Sequence, residues 1–164
     1  MLSESPRILE IHVSTGHDFK GRHGKSRLRN ETKRLDEVEC VAGKGLRGDR
    51  FFDYKSDFKG QVTFFDQAGA DDLRDSLGLA SLEFFKTRRN VLTAGIDLDR
   101  LIGKRFSING GAFKGVEECA PCYWMNEALG PGAEEMLKGR GGLSSRILSD
   151  GIIKVGKVYI IDLE

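Results

Sequence analysis

Two thiols one helical turn apart, Cys119 and Cys122, flank Ala120-Pro121 directly after residues 112–118, which alternate like a β-strand. Thiolate sulfur is the strong nucleophile and soft-metal ligand among the standard side chains. A placed pair in a chain with three cysteines is therefore the first candidate for chemistry. The proline fixes the backbone between the two sulfurs, and Tyr123-Trp124-Met125 follow. The pair can serve as a redox couple, as half of a metal site, or as one working cysteine with a neighbour. A zinc site needs about four ligands, and Cys40, His12, His17 and His23 show no paired spacing that would complete one. A thioredoxin-like couple expects tryptophan before the motif and a later proline opposite it. Here Trp124 comes after, and Pro131 sits close by in a Gly-Pro-Gly turn. Two small buried residues are the plain alternative.

Basic residues supply the second candidate set. Arg88-Arg89-Asn90 precedes a strand, and the planar guanidinium fork suits a phosphate. Gly43-Lys44-Gly45-Leu46-Arg47-Gly48 formally matches a dinucleotide fingerprint. That fingerprint needs a helix opening at its last glycine, and Asp49-Arg50-Phe51-Phe52-Asp53-Tyr54 has no helical period. A glycine-rich turn with Lys44, Arg47 and Arg50 can still face an anion.

Short alternating runs must position these groups. Residues 7–13, 38–41, 60–65, 90–93, 105–108, 112–118, 143–148 and 157–162 read as strands. Residues 66–79 change period: Ala70, Leu73 and Leu77 share a helical face, with Asp66 as N-cap. Residues 82–85 suit helix or strand equally. Short helices are expected over 123–129 and 133–138. The pattern is mainly β with short helices, forming a barrel rather than a doubly covered parallel sheet.

Bulk composition sets limits. The 164 residues suit a single domain with its own core, and 39% apolar with 31% charged residues is ordinary for a globular protein. Twenty-six basic and 25 acidic residues leave +1, so no overall field argues for nucleic acid. Local imbalance exists: Lys20, Arg22, Lys25, Arg27, Arg29, Lys33 and Arg34 face Glu31 alone, and residues 20–34 read as a mobile basic loop. No run approaches a membrane span. The first residues lack a signal-type apolar region, and cysteine usage fits the reducing cytoplasm.

The order of motifs resembles the MOSC domain, the C-terminal domain type of molybdenum cofactor sulfurases, also found as small stand-alone bacterial proteins. Gly45-Leu-Arg-Gly-Asp-Arg50 with Phe51, Gly60-Gln-Val-Thr-Phe64 and Ala120-Pro-Cys122 carry it. So do Arg88-Arg-Asn90 through Gly95-Ile-Asp-Leu98 to Leu101-Ile-Gly103, and the closing Gly142-Leu-Ser-Ser-Arg-Ile147 with Gly151-Ile-Ile-Lys-Val-Gly156. The resemblance implies a closed or partly closed β-barrel of the pyruvate-kinase type. It makes Cys122 the working thiol, either ligating molybdenum or carrying a persulfide sulfur. Arg50, Arg88 and Arg89 become counter-charges for the phosphate of a molybdenum cofactor. Asp49, Asn90 and Gln61 would hydrogen-bond the pterin or hold those arginines.

Three functions compete, the first two from that resemblance and the third from the thiol pair itself. One is a small molybdoenzyme reducing N-hydroxylated compounds, fed by an external electron-donor protein. Another is a non-catalytic persulfide carrier working between sulfur donor and acceptor proteins. The third is a dithiol redox protein using Cys119 with Cys122. The closing turn departs from the family pattern, with Gly156-Lys157 in place of Gly-Asp, and Cys119 is not the family's required cysteine. The pyridoxal-phosphate domain of the larger sulfurases has no counterpart, and no pyridoxal-phosphate site is evident in this chain.

Overall fold

The structure is a computed structural model that describes residues 5–18, 25–26, 28, 30–121 and 124–163. In chain order, β1 (Arg7–Ser14), β2 (Thr32–Leu35), β3 (Glu37–Val41), β4 (Gly45–Leu46) and β5 (Val62–Asp66) lead into α1 (Gln67–Ser76). A 3-10 turn at Phe84–Thr87, β6 (Val91–Ala94), a second 3-10 turn at Asp99–Leu101, β7 (Arg105–Ile108) and β8 (Gly111–Glu118) follow. Next come α2 (Trp124–Leu129), α3 (Ala133–Leu137), β9 (Leu143–Ile147), β10 (Gly151–Lys154), β11 (Gly156–Lys157) and β12 (Ile160–Asp162).

The large sheet runs β11-β1-β6-β5-β9-β8-β7-β12, with β2 also on β1. A small sheet, β10-β3-β4, lies apart from it. Strand alternation sends successive side chains to opposite faces. Phe64 and Val91 therefore join Ile8, Ile11, Val13, Phe106 and Phe113 in a core that also takes Val38, Cys40 and Ile153 from the small sheet. Their neighbours Phe65 and Leu92 join Leu73, Phe84, Met125, Leu129 and Leu137 in a second core under the helices. Asp66 caps α1 as expected, its carboxylate accepting from the Gly69 amide.

Two expectations need correction. No sheet closes into a barrel among the described residues. The end strands β11 and β12 are not paired with each other. The chain itself bridges the two sheet ends through Val158-Tyr159, anchored by Val158 N–H on the Pro6 carbonyl and Tyr159 N–H on Asn109 Oδ1. The basic segment is not a loop throughout, because Thr32–Leu35 is strand β2, antiparallel to β1 in the register His12 opposite Arg34 and Ser14 opposite Thr32. The hydrogen-bonding edge of β1 overrides the polar composition that hid this strand. Much of the remainder of that segment lies outside the described residues. No described helix is long and apolar enough to cross a membrane.

Candidate functional site

Strand β8 delivers Cys119 to the helical side of the molecule. Its amide donates to the Gly142 carbonyl at 2.8 Å, and Glu118 Oε1 accepts from the Gly141 amide at 3.0 Å. A Cβ added at Gly141 would overlap the Cys119 carbonyl oxygen, and one at Gly142 would overlap that of Phe64. Gly142 also sits at φ +101°, where side chains are strained. The Gly141-Gly142 pair thus exists so that two strand ends and the thiol loop can touch. Cys119 itself is buried, with Sγ 3.2 Å from Ser144 Oγ. Cys122 and Tyr123 lie outside the described residues, between Pro121 and α2.

Arg89 fastens this loop to the rest of the sheet. Its Nε donates to the Gly141 carbonyl at 2.9 Å, Nη1 to Thr87 at 3.1 Å and Nη2 to Cys119 at 3.4 Å. No carboxylate pairs with it among the described residues, so its charge is balanced only by carbonyl dipoles. Arg88, at φ +62°, turns the other way. Nη2 reaches the Gly16 carbonyl at 2.8 Å, and Nη1 meets Thr32 Oγ1 at 3.2 Å and Asp18 at 3.4 Å. The two side chains diverge because the left-handed residue Arg88 ends the 3-10 turn one position before Arg89.

Arg50 completes the group. Its Nη2 donates to the Arg88 carbonyl at 3.2 Å, Nη1 lies 3.3 Å from Asp49, and its guanidinium stands 4.5 Å over the Phe51 ring. Burial pulls its pKa down to about 10, Asp49 raises it, and the charge of Arg88 lowers it again. Asp49 is buried and accepts from the Ser14 amide at 3.0 Å and the Phe51 amide at 3.3 Å. Three guanidiniums thus face two carboxylates, Asp18 and Asp49, which leaves the cluster positive.

The other two polar candidates serve the frame. Asn90 Oδ1 accepts from both the Thr63 amide and hydroxyl at 3.0 Å, and its Nδ2 donates to the His12 carbonyl at 3.1 Å, tying β5 to β1. Gln61 is buried, its Oε1 accepting from the Ile147 amide at 2.8 Å. No group of three His, Cys, Asp or Glu able to hold a metal occurs among the described residues.

Beside the arginines a cleft of about 500 Å³ opens between β1–β2 and the 3-10 turn, with Glu10, His12, Thr32 and Arg34 facing Phe84 and Phe85. A separate void of about 10 Å³ shares His12, Thr32 and Phe85 with this cleft and is also lined by Arg50, Arg88 and Arg89. Sequence reading weighed His12 only as a zinc ligand and passed over Asp18 and Thr32. Glu10 and His12 two apart on one strand were the available signal.

A family model described as the MOSC domain matches residues 19–159. No curated protein matches the sequence. Among solved structures, the YuaD protein from Bacillus subtilis superposes with TM-score 0.75 at 16% identity, covering 98% of this chain and 97% of its own. YiiM from Geobacillus stearothermophilus gives 0.69 at 13%, covering 95% of this chain and 75% of its own. YiiM from Escherichia coli gives 0.61 at 13%, covering 94% and 69%. These likenesses concern the fold, and the family match spans most of the sequence: the chain belongs to the MOSC domain family.

Proposed function

We propose that this protein binds a molybdenum cofactor with Cys122 as the protein sulfur at the metal, and that the arginine cluster receives the anionic part of that cofactor. One observation carries the reading: Arg89, without a carboxylate partner among the described residues, grips the carbonyl of Cys119 at the base of the loop that leads to Cys122. The residues present fit the group. The cofactor brings sulfur ligands of its own, so one cysteine suffices where no three-residue metal cage is described. The positive balance of Arg50, Arg88 and Arg89 over Asp18 and Asp49 suits a phosphate.

When bound, the cofactor supplies two-electron chemistry at the metal. The chain's own residues do the rest. Arg89 and the Gly141-Gly142 pair fix the thiol loop against β9. Asp49 orients Arg50 through two backbone amides, and Asn90 locks β5, β6 and β1 into one rigid floor. A thiolate is needed for ligation, and positive charge brought close to a thiol favours that form. N-hydroxylated compounds remain the proposed substrates, with electrons from a separate protein.

The persulfide reading uses the same thiol. The Cys122 thiolate would attack the terminal sulfur of a donor persulfide, forming a new S–S bond while the donor leaves as a thiolate. Metal analysis of protein purified from a molybdopterin-competent host separates the two. Near-stoichiometric molybdenum is the expected result; cyanide-labile sulfur without molybdenum would replace ligation by sulfur carriage.

A further inference from the structure

Strand β12 ends the large sheet, with β7 on one side and no strand on the other among the described residues. The register sets Ile160 opposite Ile108, Ile161 opposite Ser107 and Asp162 opposite Phe106. The Leu163 amide donates to the Arg105 carbonyl, and the Asn109 amide to the Tyr159 carbonyl, both at 3.0 Å. In an antiparallel ladder alternate residues bond to the same neighbour, so the backbone groups of Tyr159, Ile161 and Leu163 face β7. The N–H and C=O groups of Ile160 and Asp162 therefore point away from it, along an open edge. Such an edge is a template for another strand, and β12 carries neither the lysine nor the proline that would blunt it.

The same alternation sorts the side chains. Val158 and Ile160 turn into the core, while Tyr159, Ile161 and Leu163 are 69%, 59% and 47% exposed on the outer face. Across β7 and β8 the rungs line Ile161 up with Ser107, Ala112 and the exposed Leu148. Contiguous apolar surface of this kind marks an interaction site. The charged side chain of β12, Asp162, is held by Arg100 at 2.6 Å, so the edge is locally neutral.

A second copy of β12 fits this edge by symmetry. With Ile161 on a two-fold axis, Ile160 of one copy faces Asp162 of the other. Those are the residues whose backbone groups are free, and each rung closes hydrogen bonds in both directions, leaving none open. Ile161 meets its own counterpart in a non-hydrogen-bonded pair, where side chains approach closest, and Tyr159 lies opposite Leu163. Centring on Ile160 instead would set Asp162 opposite Val158, whose amide is already given to Pro6. Centring on Asp162 would oppose two carboxylates, which is unfavourable.

We infer that β12 pairs antiparallel with β12 of a second copy of this chain, forming a two-fold dimer centred on Ile161. A strand of three residues with a short apolar stripe is a small interface, so association is reversible, with a Kd of about 10–100 μM. None of Arg50, Arg88, Arg89 and Cys119 lies in the paired stretch, so the dimer neither rests on the molybdenum reading nor falls with it.

Analytical ultracentrifugation of the full chain, at concentrations on either side of that Kd, is expected to show monomer giving way to dimer. Ile161→Lys places two ammonium groups face to face on the axis and is expected to raise Kd at least about tenfold. Ile152→Lys, at a similarly exposed residue of β10, is expected to leave Kd unchanged. A second readout tests the register: with diamide as oxidant, Ile161→Cys is expected to form a disulfide-linked dimer in excess of wild type, and Tyr159→Cys, which faces Leu163, is not. A wild type that stays monomeric throughout overturns the inference. So does a dimer that survives Ile161→Lys, an equal loss in Ile152→Lys, or crosslinking of Ile161→Cys no greater than that of wild type or Tyr159→Cys.

Discussion

Cys40 and Cys119 are both buried thiols, yet they sit in opposite electrical settings. Cys40 belongs to β3 and faces the apolar core with Val38, Leu46 and Ile153. Burial there pushes its pKa up to about 12, with the charge of Glu39 adding to the rise and a hydrogen bond with the Ile153 backbone opposing it. Cys119 lies where two sheet strands meet the helices, its carbonyl held by a guanidinium and its sulfur by the Ser144 hydroxyl. Burial without positive charge makes a thiol inert. The chain invests its arginines at the other end, beside the loop that carries Cys122.

The strongest way to break this contrast is to remove the carboxylate that holds the charged end together. Asp49→Ala leaves Arg50, 10% exposed at its side chain, without its ion-pair partner, and strips an acceptor from the Ser14 and Phe51 amides. A loss of about 3–5 kcal/mol is expected, read by urea denaturation, with loss of any bound cofactor. A change below about 1 kcal/mol would show that the cluster is not the buried network described.

Gly141→Ala tests the loop more selectively. The new Cβ collides with the Cys119 carbonyl, so the thiol loop must shift at an expected cost of about 1–3 kcal/mol. Molybdenum or labile sulfur should fall more than stability does. Retained loading would mean that the loop's position does not govern the site.

At the inert end, the effect is on pH dependence. An unfolded thiol ionises near 9.0, while folded Cys40 holds its proton to about 12. The native state therefore binds the proton more tightly, and stability falls as pH rises from about 9 toward 12. Cys40→Ala should flatten that alkaline decline and leave the profile below pH 9 unchanged. Native Cys40 should also resist iodoacetamide at pH 8 until the protein unfolds.

How much of this was legible in the residues follows from what each signal depends on. Residues 105–108 and the Asp66 cap were readable because alternation and capping are local. Strand β2 was hidden because its partner strand, not its composition, makes it a strand. The open sheet was hidden too, since whether two short end strands pair depends on how far the sheet curves. In the site, residue types pointed to Arg50, Arg88 and Arg89 through the family resemblance. Besides Asp18, Asp49 and Thr32, their partners are the carbonyls of Gly16, Thr87, Arg88, Cys119 and Gly141, which carry no side-chain signature at all.

The central claim is that Cys122, and neither of its fellow cysteines, is the working sulfur. Wild type, Cys122→Ser and Cys40→Ser are purified side by side from a molybdopterin-competent host, and molybdenum and cyanide-labile sulfur are measured per chain. The expected result is loss of the bound molybdenum in Cys122→Ser with wild-type content in Cys40→Ser. Wild-type content of both elements in Cys122→Ser would contradict the account.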